Sequence, residues 1–162
     1  AIVDDIDYPY LSEMKWHPRK KGNITYAIGV HSMTTIHQEV LKRMGLCPSE
    51  TLQSDHINGD GLDNRRSNLR LATKSQNQQN RGINQRGKET SRFKGVCKKR
   101  RGSIIYFYAK VHKMGKDVFK GYFKSEIDAA KAYDINAIKH FGEFARTNFQ
   151  INCLADLRKR IR

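Results

Sequence analysis

SDHINGDGLDNRRSNLRLATKSQNQQN, residues Ser54–Asn80, is the densest cluster of chemistry-bearing side chains in the chain. Asp55 and His56 are adjacent. Asn64 and Asn68 follow a turn-rich NGDGLDN loop, and Asn77 lies 22 positions beyond Asp55. Hydrolysing a phosphodiester near neutral pH requires a base for water, charge to balance the crowded phosphate and stabilisation of the departing 3′ oxygen. A neutral His is a suitable base, while an Asp carboxylate and an Asn carbonyl are hard oxygen donors suited to Mg²⁺ or Mn²⁺ rather than zinc. At the end of a strand, successive side chains point to opposite faces, so Asp55 can bind metal while His56 addresses water. A helix beginning near Thr73 or Ser75 can bring Asn77 in from across. The same letters also spell a tight turn, because Asp, Asn and Gly populate turns and left-handed conformations. Residue types alone leave both readings open.

The string as a whole resembles the HNH endonucleases, in the branch found among intron-encoded homing enzymes. The matching residues are Asp55, His56 and Gly59, then Asp63, Asn64 and Arg65, then Ser67 to Arg70, then Ala72, Thr73 and Asn77. The resemblance implies a ββα-metal module spanning 1–81, with 54–80 as its core motif. It implies His56 as general base, Asp55 and Asn77 as ligands of one divalent ion, Mg²⁺ or Mn²⁺, and Asn68 as the brace of the loop carrying the base. No zinc is expected. Arg65 and Arg70, inside the match, are expected to contact DNA. Upstream, Ile36, Val40, Leu41 and Met44 recur at helical spacing with Gly45 as a stop, predicting a helix over Thr35–Met44. It looks like the element preceding the motif in these enzymes, but His37 is followed by Gln38 instead of Arg, so His37 is read as a partly exposed helix residue. Before it, the turn signal PRKKGN and the alternation of Ile24, Tyr26 and Ile28 predict a hairpin within Trp16–Val30.

Charge is unevenly distributed. Basic and acidic residues number six and six in 1–50, seven and four in 51–90, and eighteen and six in 91–162, so most of the net +15 sits in the last piece. The Asn-, Gln-, Gly- and Arg-rich stretch before Ser91 has linker composition, placing a basic linker at 82–91. Beyond it, Ile105, Phe107, Ala109 and Val111 alternate with Tyr106, Tyr108, Lys110 and His112, giving one apolar and one aromatic-basic strand face. Lys113 to Lys116 turn into a strand over Asp117–Phe123. Ser125 caps a helix whose stripe runs through Ala129, Ala130, Tyr133, Ala137 and Phe141 to Gly142.

Residues 92–149 resemble the AP2 DNA-binding domain. The residues that carry this are FKGV at Phe93–Val96, a basic turn at Lys98–Gly102, GYF at Gly121–Phe123, AAKAYD at Ala129–Asp134 and GEFARTNF at Gly142–Phe149. The resemblance implies three antiparallel strands packed on one helix, laid in a DNA major groove. The residues expected to touch DNA are Lys94, Lys98, Lys99, Arg100, Arg101, Tyr106, Tyr108, Lys110 and His112. Cys97, and Lys120 at a strand position more often apolar, depart from the pattern. A basic tail spans 150–162.

The expected fold class is therefore α+β, in two modules. The expected activity is site-specific cleavage of double-stranded DNA of homing type, as a nick or a double-strand cut, leaving 5′-phosphate and 3′-hydroxyl ends. The alternatives are a DNA-binding regulator with an unused nuclease motif and, with less support, an RNA-directed role. No apolar run approaches a membrane span of roughly 18–20 residues. Cys47, Cys97 and Cys153 are too far apart for a disulfide framework or a Cys-ligated metal site. An intracellular monomer without an obligate protein partner or membrane is expected, cytoplasmic and possibly encoded by a phage or an organelle.

Overall fold

A computed structural model describes residues 1–83 and 91–150. Most of the expected linker and all but the first residue of the expected tail, Cys153 included, lie outside the described residues. Contacts divide the chain into two units, Ala1–Asn80 and Arg81–Arg162. Among the described residues no helix is long and apolar enough to cross a membrane.

The first unit runs α1 (Tyr8–Ser12), β1 (Trp16–Lys21), β2 (Ile24–Gly29), α2 (Ile36–Arg43), β3 (Leu52–His56), β4 (Leu69–Thr73) and α3 (Lys74–Asn80). β1 and β2 form one antiparallel hairpin, β3 and β4 another. The first hairpin is longer than PRKKGN suggests: Pro18 to Lys21 belong to β1, and the reversal needs only Gly22, at φ +62°, with Asn23. Pro18 is tolerated because β1 is an edge strand whose missing N–H breaks no ladder on a second side. Leu11, Ala27, Ile36, Val40, Leu41 and Leu69 make the core. α1 carries no apolar period in the sequence, and contributes only Leu11 to that core.

α3 starts where it does because Thr73 and Gln76 cap each other: Gln76 Oε1 accepts from Thr73 N at 2.8 Å and Thr73 Oγ1 from Gln76 N at 3.3 Å. β3, β4 and α3 thus form a continuous ββα unit. Its loop is strapped down by the N-terminal segment. Ile2 N donates to Leu62 O at 2.7 Å, and Asn64 N donates back to Ile2 O at 2.8 Å. Asp7, fully buried, accepts from Arg43 Nε at 2.8 Å and from Arg66 Nε and Nη2 at 2.7 and 2.8 Å, so one carboxylate ties α1, α2 and the turn before β4. These guanidiniums hold the Asp7 carboxyl below the usual range despite the opposing cost of burial. Gly61 lets the loop press on β2, since a Cβ there would sit 2.5 Å from Thr25 O.

In the second unit β5 (Val96–Arg101), β6 (Ile104–Lys113) and β7 (Lys116–Phe123) form an antiparallel sheet in the order β5-β6-β7. Its apolar face, with Val96, Ala109 and Val111, packs on Ala129, Ala130, Tyr133 and Ala137 of α4 (Glu126–Phe141). The expected basic turn at Lys98–Gly102 is corrected: Lys98 to Arg101 continue β5 in register with Ile104 to Phe107. Two residues, Gly102 and Ser103, suffice for the turn because Gly102 takes φ +61°. Ser125 Oγ accepts from Asp128 N at 3.3 Å to cap α4. The buried Asp134 carboxylate receives Asn148 N, Asn148 Nδ2 and Phe149 N at 2.8, 2.9 and 3.0 Å, fastening the segment after α4.

Candidate active site

β3 ends at His56, and the antiparallel register sets Asp55 opposite Arg70 and His56 opposite Leu69. Both site residues are buried. Arg70 Nε donates to Asp55 Oδ2 at 2.9 Å. From the last residue of α3, Asn80 Nδ2 lies 3.1 Å from each Asp55 carboxylate oxygen and 2.8 Å from His56 O. All three are acceptors, so the amide nitrogen faces β3.

On the opposite face, His56 Nε2 is 3.2 Å from Asn64 Oδ1. The proton on that bond can be placed. Asn64 Nδ2 donates to Leu62 O at 3.1 Å, so its carbonyl faces the imidazole. An amide oxygen only accepts, so His56 carries its hydrogen on Nε2 and keeps a lone pair on Nδ1, the form a general base needs. Burial pushes the imidazole below its ordinary pKa, against the Asn64 hydrogen bond and the charges of Asp55, Asp60 and Asp63. Asn68 accepts from Asn58 N at 2.9 Å and donates to Asn58 Oδ1 and Asp63 O at 3.0 and 2.7 Å, closing the loop between base and second strand.

The structure brings Asp55, His56 and Asn68 into one site, and adds two residues to which the sequence reading gives no role. Asn64 was visible as part of a DNR triplet, and Asn80 only as the last letter of a Gln- and Asn-rich helix. Asn77 is elsewhere: its Nδ2 lies 3.5 Å from Gln53 Oε1, one helical turn from Asn80. The turn from Asn77 to Asn80 tracks the step from Gln53 to Asp55 on the same face of β3, so Asn80 meets the carboxylate. The expected DNA contact of Arg70 is corrected too, because its side chain is largely buried on Asp55. Arg65 grips Asp63 through Nε and Nη2 at 2.8 and 2.7 Å and remains half exposed. This holds the Asp63 carboxyl down at about 2. His37 is buried, contrary to expectation, because α2 turns its first-turn face towards the hairpin ends: its ring centroid is 4.9 Å from that of His56 and 5.5 Å from Tyr26.

Among the described residues no three His, Cys, Asp or Glu side chains converge as a metal cage. The donor set at Asp55 is one carboxylate with amide groups of α3. That suits a hard, well-hydrated ion completed by water and phosphate oxygens.

In the second unit a separate surface stands out. β6 puts Tyr106, Tyr108, Lys110 and His112 on the face away from α4, and the register brings Lys99 opposite Tyr106 and Cys97 opposite Tyr108. Tyr122, largely exposed, stacks near Tyr106 and Tyr108 at centroid distances of 5.8 and 5.1 Å. Asp117 gathers His112 Nδ1, Lys120 Nζ and Lys110 Nζ at 2.7, 2.7 and 3.4 Å. Lys120, which departs from the strand pattern in the sequence, thus joins this face. Alternation separates the expected basic run: Lys99 and Arg101 share the open face, whereas Lys98 and Arg100 stand opposite Phe107 and Ile105 on the helix side. Lys94 lies on neither face but lines a cavity of about 410 Å³ with Arg92, Arg146 and Asn148. Burial, with Arg146 nearby, pushes its ammonium down to about 8.

Comparison with known proteins gives a family match over residues 37–79, to the HNH endonuclease model. An uncharacterised HNH endonuclease of Acanthamoeba polyphaga mimivirus is 33% identical over 149 residues, covering 91% of this chain and 74% of the viral protein. No solved structure matches the chain.

Proposed function

The chain belongs to the HNH endonuclease family, and on that premise we propose that it is a site-specific, metal-dependent DNA endonuclease of homing type. The observation that carries the reading is the His56–Asn64 pair beside Asp55. It combines a base with its lone pair on a defined nitrogen and a carboxylate whose orientation is fixed by Arg70 and Asn80.

In the reaction, His56 Nδ1 takes a proton from water, and Asn64 Oδ1 stabilises the resulting imidazolium through Nε2–H. A Mg²⁺ or Mn²⁺ ion would be held by Asp55 with amide oxygen from α3, where Asn77 and Asn80 share a face at i, i+3. When bound, it supplies charge to the phosphate and to the leaving 3′ oxygen. Arg70 compensates the Asp55 charge, and Asn68 keeps the loop closed. The products are 5′-phosphate and 3′-hydroxyl ends.

The second unit is the DNA reader, an AP2-like module. Its open face offers Tyr106, Tyr108 and Tyr122 for stacking or hydroxyl contacts, and Lys99, Arg101, Lys110 and Lys120 for phosphates or guanine edges. The test uses unmutated protein and His56→Ala on a DNA library with Mg²⁺ or Mn²⁺, scoring cleavage and binding separately. The expected result is a loss of cleavage by roughly 10²–10⁴-fold with binding retained. Binding without metal-dependent cleavage by the unmutated protein would sink the enzyme reading in favour of a DNA-binding regulator.

A further inference from the structure

His37 is a buried polar ring to which the reaction above gives no part. Its Nε2 lies 2.9 Å from Thr35 Oγ1. That hydroxyl has a single proton and donates it to Gln38 Oε1 at 2.9 Å. Gln38 Oε1 is fixed as oxygen because it also accepts from the backbone N–H of Thr35 at 3.0 Å. Towards His37, therefore, Thr35 Oγ1 accepts, so His37 carries its hydrogen on Nε2 and a bare lone pair on Nδ1. Burial pushes this imidazole down to about 3, so it is neutral at physiological pH.

His37 Nδ1 is buried with no hydrogen-bond partner among the described residues. An unsatisfied buried acceptor costs about 1–3 kcal/mol, which an apolar side chain of the same shape would avoid. The ring that carries it stands edge-on to the proposed base, at an interplanar angle of 80°. His56 has the same protonation pattern. Two neighbouring imidazoles with bare Nδ1 atoms cannot hydrogen-bond to each other; a molecule with two donatable protons satisfies both. Water is the smallest such molecule, and it is the nucleophile of the reaction.

We propose that His37 is a water-positioning residue of the nuclease site, whose Nδ1 accepts one hydrogen of the water that His56 Nδ1 deprotonates. One proton of that water goes to His56, the oxygen pair attacks phosphorus, and the second hydrogen remains on oxygen, oriented by His37. His37 gains and loses no proton. The proposal rests on the nuclease reading for its catalytic part, but the protonation state and the water can be examined without it.

Two measurements test it. Nitrogen-detected spectra of the unmutated protein labelled at histidine, without DNA or metal, should show His37 protonated on Nε2 with Nδ1 bare and hydrogen-bonded. A hydrogen on Nδ1, or a bare Nδ1 without a hydrogen bond, overturns the proposal whatever the activity. In single-turnover cleavage, His37→Phe keeps the ring packing and removes the acceptor; the rate constant should fall about tenfold or more, with DNA affinity unchanged. A rate constant equal to that of the unmutated protein overturns it. Should the Phe variant not fold, His37→Gln, which restores an acceptor, is expected to keep the rate within a few-fold of the unmutated protein, and complete loss in a folded Gln variant counts against the role. Absence of cleavage by the unmutated protein defeats the nuclease reading instead, and the spectra then decide the water site alone.

Discussion

The two units use charge in opposite ways. Residues 1–80 carry ten basic and nine acidic side chains, and residues 81–162 carry twenty-one and seven. In the first unit, arginines face inward onto carboxylates: Arg43 and Arg66 onto Asp7, Arg65 onto Asp63, Arg70 onto Asp55. Those pairs fix a loop, a strand end and a carboxylate. In the second unit, Lys99, Arg101, Lys110 and Lys120 stand on an open sheet face. Charge buried in pairs defines geometry, whereas charge left on a surface acts at a distance through the field it adds to solution. A near-neutral unit can thus hold the more elaborate electrostatics.

The largest effect that separates the two is on stability. Asp7→Ala should destabilise the first unit by about 3 kcal/mol, the low end for breaking a buried pair, because both arginines can swing into solvent. The molecule carries its own probe. Trp16 is the only tryptophan and lies in the first unit, with Nε1 donating to Leu11 O at 2.8 Å, so denaturation followed by its fluorescence reports that unit. An unshifted midpoint would mean the triple grip on Asp7 is incidental.

Next in size, Asn80→Ala should lower cleavage by roughly 10–100-fold, as expected for losing a group that orients a ligand, and weaken Mn²⁺ binding measured calorimetrically. Cleavage within twofold of the unmutated protein would reduce the amide on Asp55 to packing.

For the second unit, Lys99→Ala with Arg101→Ala should weaken DNA binding and flatten its dependence on salt, by about 0.9 in log–log slope for each phosphate no longer neutralised. The same change at Lys98 and Arg100, on the helix side, should flatten it less. Equal slopes for both doubles would erase the distinction between the two faces of β5.

The smallest effect is pH dependence. His37 and His56 have folded pKa values below their ordinary one, so the unfolded chain binds protons that the folded chain refuses. Stability of the first unit is therefore full above about pH 6.5 and falls as pH drops, by at most about 1.4 kcal/mol per pH unit for each group. Trp16 midpoints between pH 7 and 5 check this, and His37→Phe should shallow the slope. A flat profile would mean that neither ring is desolvated. Because the base must be neutral, the acid limb of cleavage should likewise lie below pH 6.5.

Periodicity exposed β6, β7, α2 and α4, because each buries one face and leaves the other wet. α1 and β5 were hidden for the converse reason: α1 puts a single side chain in the core, and β5 is basic at every position from Lys98 to Arg101, with alternation that only its partner strand reveals. Within the site, Asp55, His56 and Asn68 could be read from their spacing along one string.

The sequence by itself determined the chemistry: a base, a carboxylate and amides within one loop-strand-helix string, and a cationic module behind it. The tertiary structure decided which amide meets which partner. Helical rotation and strand pitch bring Asn80 instead of Asn77 to Asp55, and the N-terminal strap sets Asn64 on His56. The packing of α2 puts His37 beside the base from nineteen residues away. Such choices depend on where an element's face comes to rest, and that is fixed by packing partners distant in the chain, which residue types and local spacing do not encode.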